Sequence, residues 1–183
     1  LLKVSIGGTG PFLIASASWI FLVRIMSSFG SASVAGYTIA IRLIVFAILP
    51  AWGMANASAT LVGQNLGAGF PERAEKSVWR AGFLNFLFLG FISIIFIAFA
   101  PYIVQFFSKD PAIVKYGTQS LRLVSLGYIF YAYGMVIPQA FNGAGDTFTP
   151  TLMNLFGFWF FQIPLAYVLA ITLGMGPLGV FIA

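Results

Sequence analysis

Neither cysteine nor histidine occurs in the 183 residues. Their absence excludes disulfide frameworks, thiolate nucleophiles, zinc sites built on these ligands and any triad with a histidine base. Charge is equally scarce: nine basic and four acidic side chains make up 7% of the chain, against 60% hydrophobic residues. Ordinary soluble domains carry about 25% charged residues, so a water-facing surface cannot be assembled here and lipid must serve as solvent for much of the exterior. The net charge of +5 raises nucleic acid as a partner. The basic residues nevertheless form no run and no aromatic-basic interleaving, and their scatter suits membrane topology instead, so no nucleic-acid partner is expected.

What is present is a succession of long apolar segments. A membrane-spanning helix needs about 20 mostly apolar residues, and five segments of sufficient length are bounded by charge or by Gly and Pro. They cover about residues 5–29, 33–66, 71–107, 111–141 and 149–174, and a sixth starts at Pro177. No period-two alternation is sustained, which argues against a barrel. The expected class is an all-α membrane protein, a single polytopic helix bundle over residues 1–183. The sequence opens on Leu1 and closes shortly after Pro177, which reads as a piece of a longer chain. Pro71 and Pro150 suit first-turn positions, with Thr149 as the expected cap before the latter. Pro50, Pro101, Pro138 and Pro164 fall inside the second to fifth segments, as in transporters whose broken helices line cavities.

At about 100° per residue, Thr38, Arg42, Gly53, Asn56, Thr60, Gly63, Gln64 and Gly67 share one face of the second segment. Polar groups in a span are costly against hydrocarbon, so this stripe is expected to face the bundle interior or a water-filled cavity. For Gly63 and Gly67, a GxxxG pair, close helix packing and cavity lining stand side by side, whereas Arg42 and Asn56 point to a cavity. The Asn56, Ala57, Ser58 acceptor pattern lies inside an apolar span and is discounted for glycosylation. In the fourth segment Lys115, Thr118, Arg122, Ser125 and Tyr133 lie near one face, Tyr131 lies elsewhere and Gln139 is about 100° from Arg122; Lys115 is expected to snorkel to the interface. All four carboxylates, Glu72, Glu75, Asp110 and Asp146, fall in loops or at helix starts. No paired-carboxylate site, Walker loop or dinucleotide fingerprint is present, so neither an enzyme nor a bound cofactor or metal is expected.

Two passages carry more than composition: GQNLGAGFPERAEK, from Gly63 to Lys76, and FNGAGDTFTP, from Phe141 to Pro150. In order and spacing they resemble the motifs of the multidrug and toxic compound extrusion (MATE) family, and IRLIVFAILPAWGMANASATLV and QIPLAYVLA with GPLGV are similar to its carboxy-terminal half. The resemblance covers nearly the whole chain. It implies twelve helices in two six-helix bundles arranged as an inverted V around a cavity, this chain supplying helices seven to eleven and the start of twelve, with the amino-terminal half absent. It implies export of amphipathic or cationic compounds in exchange for sodium ions or protons, from a bacterial cytoplasmic membrane. The motif loops, with Gly63, Gln64, Gly67, Gly143, Gly145, Asp146 and Pro150, would face the cytoplasm; the positive-inside count is nearly tied and leaves orientation to the resemblance.

Some members of that family bind the coupling cation in this half through a glutamate on the first helix and an aspartate on the fourth. Ungapped alignment from Pro11 and Asp146 puts Trp19 and Tyr131 at those positions, so the resemblance places the cation site in the absent half. Trp19, Arg42, Asn56, Thr60, Tyr131 and Gln139 remain the candidate cavity residues. The alternative within the superfamily is a lipid-linked oligosaccharide flippase, for whose pyrophosphate Arg24, Arg42 and Arg122 are the candidate cations. A membrane scaffold would show a continuous apolar interior in place of the polar stripe.

Overall fold

The computed structural model describes residues 2–183. Side chains are described from Leu13 onward except Ala15, so Gly7 to Gly10 and the alignment point Pro11 lie outside the side-chain description. The chain is helical nearly throughout and no strand occurs among the described residues. Helix α1 runs Leu2–Ser27, α2 Ser31–Gly67 and α3 Pro71–Phe107. The segment expected as one helix over 111–141 is divided into α4, Pro111–Leu126, and α5, Tyr128–Gly143, which meet at Gly127 with a bend of 57°. A long helix, α6, spans Phe148–Thr172, and α7, Pro177–Ile182, opens the last apolar run. By length and composition α2, α3 and α6 can each cross a bilayer, and α4 with α5 make a fourth, broken span.

Small residues decide how these helices pack. The buried face of α2 reads Ser33, Gly36, Tyr37, Ala40, Ile44, Ala47, Ala51, Ala55, Ser58 and Val62. This narrow row at helical spacing lets neighbouring backbones approach, which in lipid replaces the hydrophobic drive as the source of packing energy. A side chain at Gly36 would stand 2.7 Å from the Gly117 amide nitrogen of α4. Leu89, Ala100 and Val104 of α3, Leu121 of α4, and Tyr128, Ala132 and Val136 of α5 complete one core with α2. A second core joins Leu22 and Met26 of α1, Tyr37 of α2, Ala166 and Ala170 of α6, and Val180 and Phe181 of α7. Helix α2 contributes to both.

The break at Gly127 is a property of the sequence that proline spacing does not reveal, since Pro138 lies inside α5. The Gly127 amide turns back to the Val124 carbonyl at 3.0 Å, ending α4 one residue before α5 begins. A helix end inside a membrane leaves carbonyls that need donors. Ser93 of α3, itself buried, supplies one: its hydroxyl donates to the Ser125 carbonyl at 2.7 Å. Helix α6 departs from regularity too, with wider, π-type turns over Leu155–Gln162 and Val168–Thr172 on either side of the segment holding Pro164, which has no amide proton to offer.

Candidate cavity face and motif loops

On α2 the polar stripe lies opposite the buried row, and all eight of its residues are exposed. A hydrocarbon core of about 30 Å takes about 20 helical residues, which, centred on α2, includes both Arg42 and Asn56. Among the described residues neither the Arg42 guanidinium nor the Asn56 amide has a hydrogen-bonding partner, while Thr60 donates to the Asn56 carbonyl at 3.3 Å. A guanidinium and an amide are costly against hydrocarbon, so this face suits water or another polar surface of the protein.

Apolar residues interrupt the stripe. By the same 100° step Val45, Phe46 and Leu49 fall within its arc, and Phe46 is 77% and Leu49 52% exposed. The face therefore has polar groups towards both ends and aliphatic and aromatic surface between them. Trp19 on α1 and Tyr131 on α5 are also about half exposed, and no hydrogen bond or ring contact between described residues ties either one to Arg42 or Asn56. Gln139 is half-buried and accepts from the Asn142 amide at 3.0 Å.

The two motif loops are built alike. At the end of α2 the Phe70 amide donates to the Asn65 carbonyl at 2.8 Å and the Gly69 amide to that of Leu66 at 3.0 Å. At the end of α5 the Asp146 amide donates to Phe141 at 2.9 Å and the Gly145 amide to Asn142 at 3.1 Å. Gly69 and Gly145 hold φ of 79° and 89°, the left-handed conformation this double cap demands and glycine supplies without steric cost. The ends lie against each other: a side chain at Gly63 would stand 3.1 Å from the Gly143 carbonyl, and one at Gly143 would collide with the Ala59 backbone. Close packing is thus found at Gly63 and Gly143, whereas Gly67 has no neighbour within 4 Å of an added side chain.

Thr149 is not the cap of α6. Asp146 takes that role, accepting from the Phe148 and Thr149 amides, each at 3.0 Å, and from the Thr149 hydroxyl at 2.5 Å. The Thr149 hydroxyl first, and the two amides with it, hold the Asp146 carboxyl below its ordinary value. Pro150, two residues into the helix, is buried. Asp110 caps α4 the same way through the Ala112 and Ile113 amides.

The sequence reading overlooked several interior polar groups. Asn85 of α3 is fully buried and donates to the Ala132 carbonyl of α5 at 3.1 Å, while its own carbonyl oxygen has no partner among the described residues. Arg122 is engaged in a way composition could not show. Pro101 interrupts α3 and strips the Ile97 carbonyl of its helical donor, and the Arg122 Nε of α4 donates to that carbonyl at 3.0 Å. No sequence spacing signals such a contact between two helices.

The family model described as MatE matches residues 11–168. Curated relatives include a probable multidrug resistance protein NorM of Thermotoga maritima, 26% identical over 91% of this chain and 36% of its own length. Another, of the same description, from Caulobacter vibrioides, is 29% identical over 84% of this chain and 32% of its own length. Among solved structures, one titled as the MATE transporter ClbM in complex with Rb+ aligns with a TM-score of 0.93 at 26% identity, covering 98% of this chain and 42% of that one. An outward-facing multidrug resistance MATE family transporter of the MOP superfamily aligns with a TM-score of 0.92 at 24% identity, over 99% and 41% respectively. The chain thus spans between about a third and two fifths of the length of such proteins.

Proposed function

Because the chain belongs to the MatE family, we propose that it is the carboxy-terminal half of a secondary active multidrug efflux transporter. Its partner would be the amino-terminal half of the same polypeptide, and lipid would surround the pair. The observation that supports this reading most directly is the exposed face of α2, where Arg42 and Asn56 lack partners among the described residues on either side of Phe46 and Leu49. A cavity wall of that kind offers water and hydrogen bonds to the polar end of a cargo and apolar surface to its body. Amphipathic and cationic compounds have such a division, and Trp19 and Tyr131 add aromatic faces that attract cations.

Transport would proceed by alternating access in exchange for sodium ions or protons. The relative solved with Rb+ supports a monovalent cation as the coupling ion. An intramembrane ion site ordinarily uses a carboxylate held away from bulk water. Here Glu72 and Glu75 lie in the first turns of α3, and Asp110 and Asp146 are occupied as caps. The coupling carboxylate is therefore assigned to the amino-terminal half.

Asn56→Leu tests the cavity assignment. The side chain has no hydrogen-bond partner to orphan among the described residues, so abundance and thermal stability should hold while efflux of cationic dyes falls severalfold and substrate preference shifts. An unaltered dye profile at equal abundance would remove Asn56 from the cavity. The flippase reading has less support, since the Arg122 Nε is committed to the Ile97 carbonyl.

A further inference from the structure

At the end of the bundle opposite the motif loops, the last turns of α3 and the first turns of α4 enclose a groove of about 520 Å³. Its polar lining is Gln105, Lys109, Lys115, Thr118 and Gln119, with Pro101 at its wall. No carboxylate lines it. The neighbouring acid, Asp110, is turned onto the Ala112 and Ile113 amides, and neither lysine has an ion pair among the described residues. Thr118 contributes to the wall of the groove, and its hydroxyl is buried behind that wall. A site with two free cations and two amides is complementary to a phosphate diester and the hydroxyls near it.

The surroundings distinguish a lipid from a dissolved anion. Tyr102, Phe106 and Phe107, on the turns of α3 beside the groove, are 72%, 85% and 58% exposed. Aromatic side chains in that density at the end of a span mark the boundary between headgroups and hydrocarbon. Lysines at this level carry their charge to the headgroups while their stems stay in apolar surroundings.

We propose that this groove holds the headgroup of one anionic phospholipid, with Lys109 and Lys115 on its phosphate, Gln105 and Gln119 on the remaining oxygens, and the acyl chains against the exposed aromatic side chains of α3. None of the residues named takes part in the cavity face of α2, so the site is separate from the efflux path.

The test uses the full-length protein in phosphatidylcholine nanodiscs doped with phosphatidylglycerol, and native mass spectrometry counts the lipids retained on release. A lysine beside an anionic headgroup contributes about 1 kcal/mol, so Lys109→Gln with Lys115→Gln should weaken phosphatidylglycerol retention roughly 30-fold and Lys115→Gln alone about fivefold. Lys109→Arg with Lys115→Arg should restore it. Retention by the double glutamine variant equal to that of the unaltered protein would overturn the proposal. So would equal retention of phosphatidylcholine and phosphatidylglycerol, or displacement of the lipid by inorganic phosphate, which would make a soluble anion the ligand. Because dye efflux is not the readout, failure here leaves the transport proposal standing and the converse.

Discussion

Asp146 shows how a single carboxylate in a family motif can be structural. Its three acceptor contacts to Phe148 and Thr149 satisfy donors that the start of α6 leaves over. Since those contacts lower its pKa, their stabilisation is complete above the ordinary value of 3.8 and disappears as pH falls through the lower folded value. Exchange protection of the Thr149 amide should therefore collapse in acid, whereas Asp146→Asn, which keeps an acceptor oxygen without titrating, should give a protection flat in pH. The same variant should retain its dependence on an imposed sodium or proton gradient in vesicles. Loss of that dependence at normal abundance would make Asp146 part of the coupling machinery. Arg122 yields a second prediction at this scale. Losing its bond to Ile97 should cost about 1.5 to 3 kcal/mol in Arg122→Met, and less in a Pro101→Ala background, where the residue 101 amide can serve the carbonyl instead. Equal costs in both backgrounds, measured by unfolding in detergent, would separate Arg122 from the proline.

The helices themselves were legible because their signals are long: apolar runs, prolines at the starts of α3 and α4, and left-handed glycines at the ends of α2 and α5. The bound at Pro71–Phe107 follows directly from Pro71 at one end and the polar turn beyond Phe107 at the other. What depends on tertiary contacts was not legible. The break at Gly127 is stabilised from another helix by Ser93, and a GxxxG spacing cannot tell which of its glycines meets a neighbour. On the α2 face, counting polar residues found the stripe but passed over Val45, Phe46 and Leu49 in the same arc. The corrected packing has a direct test. Gly143→Ala should cost about 1 to 3 kcal/mol, as overpacking does, because it presses on the Ala59 backbone. Gly67→Ala, whose added Cβ meets nothing within 4 Å, should leave expression nearly unchanged. The reverse order of sensitivity would contradict the crossing of α2 and α5 at Gly63 and Gly143.

Across the whole molecule, the adjacency of those helix ends puts the α2–α3 and α5–α6 connections on one side of the bilayer. Single cysteines at Asn65 and Asp146 should react with an impermeant maleimide from the same face of a sealed vesicle. Labelling from opposite faces would break the topology. The 57° bend between α4 and α5 sits elsewhere, at Gly127, with each arm packed on α2 and α3. Each arm is held to α2 and α3 by its own packing, and at the joint itself the hydroxyl of Ser93 bonds the Ser125 carbonyl that the end of α4 leaves over. One hydrogen bond contributes about 1 kcal/mol net, a soft detent by the standard of the helices it joins. A second setting of the joint that surrendered that bond alone would still be occupied by roughly one molecule in six.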